Sequence, residues 1–99
     1  MISEKVPLAT KTAEGYVIPL GMVNLVFAKT ANGMVGCGAF DVMALDKFSY
    51  PAAKMKSSHG GPIATVADLL DGVVREANAS AAKRGVKEGM TGKEALELM

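Results

Sequence analysis

One cysteine, one histidine, no tryptophan and only three Phe and two Tyr stand in a chain of 99 residues. Cys37 has no partner for an internal disulfide, and one histidine with one cysteine makes no cluster at metal-ligand spacing. The reading for metals and cofactors is therefore none, and the free thiol points to a reducing compartment. Charge of one sign is missing too. Eleven Lys and Arg against ten Asp and Glu leave a net charge of +1, which gives no overall field to draw in nucleic acid or an anionic membrane. No apolar run reaches the ~18 residues of a membrane span. The start, Met1 to Lys5, lacks a basic segment followed by an apolar one. The expectation is a cytoplasmic chain with no membrane partner, for which nucleic acid is a disfavoured one.

Apolar residues, in contrast, are plentiful at 49%, with 21% charged, enough to offset the entropy of ordering. Scaling puts the folded surface near ~5,300 Å² against ~14,800 Å² for the open chain. That corresponds to one domain over residues 1–99. Seven Met and many Ala do most of the packing, and such small or flexible side chains bring backbones close together.

The first half reads as strands. Lys5 to Thr12 alternates weakly, and Pro7 removes a ladder donor, so an edge strand is expected. Tyr16 to Ile18 and Met22 to Thr30 are β-branched and apolar, with Pro19-Leu20-Gly21 as a turn or bulge between them. Asn32-Gly33 predicts a two-residue type I′ hairpin loop, which places Thr30 opposite Val35 and Phe27 opposite Gly38. Phe27 then lies over the bare backbone of Gly36 and Gly38. Asp41 caps a short helix from Val42 to Phe48, Tyr50-Pro51 stops it, and Ala52 to Ser57 is a further strand.

The second half reads as helices. Thr65 with Asp68 is a capping box for a helix that Gly72 ends. Val73, Ala77 and Ala81, with Val74 alongside, form the apolar stripe of a further helix ended by Gly85. Thr91 with Glu94 is a second capping box, with Met90 as a staple to Ala95. The fold class is α+β: an N-terminal antiparallel sheet with an Asn-Gly hairpin, then short C-terminal helices packed on one face. Residues 4–57 are the β-rich, oligomer-forming part and 63–99 the helical part.

Three strings, Gly36-Cys37-Gly38-Ala39-Phe40-Asp41-Val42, Ala64 to Asp71 and Gly85 to Leu96, resemble the YunC-like family, a domain of unknown function. The resemblance spans roughly residues 5 to 98. Its most specific pieces are Cys37 to Val42 and Gly89 to Leu96. It implies an α+β domain whose N-terminal β region makes a tetramer, and no known activity or catalytic residue. At Ser57 to Pro62 this chain departs from the family pattern with a longer Gly-Pro loop, so the resemblance lends nothing to His59.

No residue pattern fixes a reaction. Cys37, between two glycines and near a helix start, has a place for a thiolate nucleophile with Asp41 as helper. The plainer reading is a buried small hydrophobe and a helix cap. Gly36, Gly38, Lys54, Lys56, His59 and Gly60 are candidates for a small-molecule or anion cradle, against a plain surface loop. Gly89 to Lys93 fails as a Walker loop, since Lys87 stands where its first glycine belongs and Glu94 follows the lysine. It fails as a GXXG nucleic-acid loop because only one short helix follows.

Between Tyr16 and Ala28 both parities are apolar, with Asn24 the clear polar exception, so both sheet faces need cover. Val17, Val23, Leu25, Val26 and Phe27 are therefore expected at an oligomer interface. The functional expectation is a homo-oligomeric protein, non-catalytic or binding a small molecule. Its alternatives are a Cys37-dependent enzyme and, more weakly, a nucleic-acid-binding module.

Overall fold

The computed structural model describes residues 1–99. Six strands form one sheet in sequence order: β1 Ile2–Pro7, β2 Thr12–Pro19, β3 Asn24–Lys29, β4 Met34–Gly36, β5 Ala52–Lys56 and β6 Val73–Ala77. Every neighbouring pair is antiparallel except β4 and β5. That parallel step needs a long crossover, which residues 37–51 supply with α1, Val42–Asp46. Helices α2, Val66–Asp71, α3, Ala79–Ala82, and α4, Gly92–Glu97, complete an α+β domain.

The expected strand across Lys5 to Thr12 is instead the junction of two. β1 ends at Pro7, the chain turns with the Leu8 N–H donating to the Lys11 carbonyl at 2.8 Å, and β2 begins at Thr12. β1 is the edge strand, as Pro7 requires.

The two-residue hairpin loop exists, but at Gly21-Met22. Leu20 N–H donates to the Val23 carbonyl at 2.8 Å, and Gly21 has φ 98°, the positive value that a type II′ turn needs at its first central residue. The expected type I′ loop at Asn32-Gly33 is corrected by the register. Ala28, not Thr30, faces Val35, and Phe27 faces Gly36. Thr30 N–H donates to the Gly33 carbonyl at 2.9 Å, the Thr30 hydroxyl accepts from Asn32 N–H at 3.1 Å, and no residue of the loop has positive φ. A slip of two residues preserves which face each side chain of the strand occupies, and Cys37 follows directly after β4, buried.

Val73 to Ala77, expected as helix, is strand β6. It pairs with β5, Lys54 opposite Glu76 and Met55 opposite Val74, with a bulge at Arg75. A short apolar run does not reveal its own period, and the β-branched Val73 and Val74 favour the extended form. Asn78 then opens the short α3 by accepting from Ala81 N–H at 2.9 Å. Both expected capping boxes are present, Thr65 with Asp68 and Thr91 with Glu94.

The core lies between α2, α3, α4 and one face of the sheet. Val6, Ala13, Val26, Ala28, Val35, Ala53, Met55 and Val74 come from the strands, and Val66, Leu69, Ala81, Ala95 and Leu96 from the helices. On the other face α1 covers only the β4–β5 end, where Met34, Val42 and Ala52 pack with Phe27, Phe40, Leu45 and Tyr50.

Candidate functional site

The second sheet face carries the side chains that the core does not use. From β2 it presents Tyr16 and Ile18, and from β3 Leu25 and Phe27, all half-buried. Tyr16 and Phe27 face each other across the strands and stack with ring centroids 4.9 Å apart, planes inclined by 20°. Phe40 meets Phe27 edge-on at 5.5 Å, a favoured geometry for an aromatic pair. Phe40 reaches this position because the chain turns at Cys37 to Phe40, with Phe40 N–H donating to the Cys37 carbonyl at 3.2 Å. Its ring then sits on Gly36, where a Cβ would stand 2.5 Å from Phe40 Cδ2. Phe40, not Phe27, is the ring that explains this glycine, and the aromatic three residues after Cys37 was the available sequence signal.

Charges of both signs frame the aromatic file. Lys29 Nζ lies 3.8 Å from Glu14, and Lys54 Nζ 3.5 Å from Glu76. The Tyr16 hydroxyl donates to Glu14 at 2.9 Å, and that bond raises the phenol's pKa above its usual value. Beyond the file the β2–β3 tip projects Leu20, Met22 and Val23 into water, Met22 fully. Beside the tip is a cavity of about 320 Å³ lined by Met22, Val23, Asn24, Pro62, Ile63 and Ala64. Asn24 closes one side by donating Nδ2–H to the Ala64 carbonyl at 3.0 Å.

The sequence candidates scatter over this frame. Leu25 and Phe27 lie on the half-buried face and Val23 at the tip, whereas Val17 borders the core and Val26 is inside it, with 0% exposure. Cys37 is buried. Asp41 is exposed, and its Oδ1 accepts from Ala44 N–H at 3.0 Å as the cap of α1. Lys54 is tied to Glu76, Lys56 is exposed next to the loop, and Gly38 is open to solvent. The Ser57 hydroxyl accepts from His59 N–H at 3.2 Å and lies 3.1 Å from His59 Nδ1, so this loop, with Gly60 at φ 81°, is closed on itself. The cradle residues therefore do not converge on one point. No three His, Cys, Asp or Glu side chains come together in metal-ligating geometry, and no helix is long and apolar enough to cross a membrane.

Sequence reasoning missed Asn78. It is fully buried and joins three segments: its Oδ1 accepts from Ala52 N–H and Ala81 N–H, and its Nδ2 donates to the Val42 and Tyr50 carbonyls. A helix drawn through residue 78 hid the polar cap.

The model of a domain of unknown function, DUF1805, matches residues 36–99, more than half of the chain. The chain belongs to this family. The DUF1805 match contains both specific strings, Cys37 to Val42 and Gly89 to Leu96. The whole fold is similar to the crystal structure of TA1206, a protein of unknown function from Thermoplasma acidophilum. The two share 22% identity at a TM-score of 0.84, over 97% of this chain and 89% of that one. Comparison with curated proteins gives no match. For this DUF1805 protein the likeness to TA1206 concerns the fold alone.

Proposed function

We propose that this DUF1805 protein is a cytoplasmic homo-oligomer, non-catalytic or binding a small molecule, and that it assembles through its N-terminal β region. One observation carries the assembly: Tyr16, Ile18, Leu25 and Phe27 form an apolar strip that α1 covers only at its β4–β5 end. A contiguous apolar strip framed by polar residues marks an interaction surface. The framing pairs Glu14–Lys29 and Lys54–Glu76 are locally neutral, which suits contact with an identical face under closed symmetry. Edge-to-edge growth through β1 is disfavoured, because Glu4, Lys5 and Pro7 on that edge oppose strand addition. The resemblance to the YunC-like family favours four copies. Light scattering behind size-exclusion chromatography then gives about 40 kDa, against 10.2 kDa for one chain. A stable single-chain species at micromolar concentration overturns the proposal. A Cys37 enzyme is the lesser reading, since the thiol is 7% exposed and Asp41 is engaged as a cap.

A further inference from the structure

A second cavity, of about 420 Å³, lies between the β3–β4 loop (Ala31, Asn32), the turn after α1 (Phe48 to Pro51) and α3 with its end (Ser80, Lys83, Arg84). It is open and lined mostly by polar residues, so it suits a charged group held at the surface rather than an enclosed apolar ligand. Lys83 and Arg84 are exposed on its wall and neither forms a salt bridge, although the Lys83 charge is near enough to help hold the Asp46 carboxyl below its usual pKa. The neighbouring carboxylate, Asp46, uses Oδ1 to accept from Ser80 N–H at 3.0 Å and Ser80 Oγ–H at 2.8 Å, clasping α1 to α3. Phe48 holds its ring in water, 81% exposed, beside the half-buried Tyr50.

Ser49 sharpens the picture. It is the only non-glycine residue with positive φ, 56°. The backbone itself is accounted for: Ser49 N–H donates to the Asp46 carbonyl at 2.9 Å and Tyr50 N–H to the Leu45 carbonyl at 3.3 Å. These are the two bonds of a Schellman helix end, in which glycine is the usual residue at this position. Helix termination thus explains the conformation but not the choice of serine. What serine adds over glycine is a hydroxyl, at a position that lines the cavity together with Lys83, Arg84 and Phe48.

We propose that this cavity binds a small molecule with an anionic head, phosphate or carboxylate, and a flat apolar body. Lys83 and Arg84 hold the head, the guanidinium offering paired N–H donors to two oxygens. Ser49 and Asn32 donate to the same oxygens, and Phe48 covers the flat body. The proposal deepens the small-molecule part of the proposed function and rests on it, but it does not depend on assembly, which scattering tests separately.

The test is an amide-resolved NMR titration of the full chain with phenyl phosphate, benzoate, inorganic phosphate and phenol. Saturable shifts centred on Asn32, Phe48, Ser49, Lys83 and Arg84 are expected with phenyl phosphate or benzoate, and weaker ones with the head or the ring alone. Whichever of the two binds more tightly identifies the head. The exposed double variant Lys83→Gln/Arg84→Gln should weaken binding at least about tenfold. Ser49→Gly should weaken binding while raising the unfolding temperature, a split that a purely structural serine would not give. No saturable shift at millimolar probe, or undiminished affinity in the double variant, overturns the proposal. Binding that maps elsewhere also overturns it, while leaving the small-molecule reading of the protein in place.

Discussion

Met99 Sδ lies 2.7 Å from the point where a Cβ on Gly33 would stand, and the Pro51 carbonyl oxygen is equally near. Gly33 is therefore a close-approach glycine: it lets the β3–β4 loop pass under the C-terminal methionine and against Pro51, whose carbonyl accepts from Met34 N–H at 3.0 Å. Gly33→Ala should destabilise the protein by about 1–3 kcal/mol through overpacking. A shift in the urea midpoint measures it. A neutral or stabilising effect would contradict the contact and revive a turn-conformation role.

The same glycine shows what the sequence made legible. Asn-Gly correctly marked a hairpin, but the tight loop falls at Gly21-Met22, where Gly21 takes the positive φ, and tertiary contact with Met99 and Pro51 makes Gly33 a packing residue instead. Capping boxes were readable because they are local chemistry: side chain to backbone within one turn. Strand β6 was not, since its pairing with β5 lies about twenty residues away in sequence and overrides a stripe that looks helical. The site was legible in part. Leu25 and Phe27 could be named, but separating them from Val26 required the register of β2 against β3.

Asn78→Ala should be among the most damaging single changes. It leaves Ala52 N–H and the Val42 and Tyr50 carbonyls without their side-chain partner in buried surroundings. Each such orphan costs on the order of 1–3 kcal/mol, so a loss of about 3 kcal/mol or more is expected. Asn78→Asp should not rescue, because a carboxylate cannot donate to those two carbonyls. Chemical denaturation of both variants decides; wild-type stability in either would remove Asn78 from its joining role.

Acid should act on two half-buried carboxylates. Asp68 is held below its ordinary value of 3.8 first by the Ala64 N–H and then by its bonds with Thr65. Asp46 is held below it first by the Ser80 hydroxyl and then by the Ser80 N–H. A folded pKa below the unfolded one means that the unfolded chain takes up more protons in acid. The stabilisation is thus full above about pH 3.8 and is lost as pH falls through each lowered folded value. Asp68→Asn and Asp46→Asn should each flatten the acid limb of a plot of urea midpoint against pH. An unchanged acid slope in both would show that these hydrogen bonds do not persist in solution.

Leu25 and Val26 are adjacent in β3 and point to opposite faces, which makes them a paired test of assembly. Val26 is 0% exposed among Ala13, Ala28 and Val35, so Val26→Lys buries an unpaired charge and should unfold the chain. Leu25 is half-buried on the aromatic face, where a lysine can reach water along its flexible stem. Leu25→Lys should therefore keep the native circular dichroism and a cooperative melt while shifting the scattering mass from about 40 kDa towards a single chain. Loss of fold in both variants would mean that the second face is core rather than interface. An unchanged mass in a folded Leu25→Lys would move the contact elsewhere, and the exposed Met22 and Val23 at the β2–β3 tip would then be the next positions to charge.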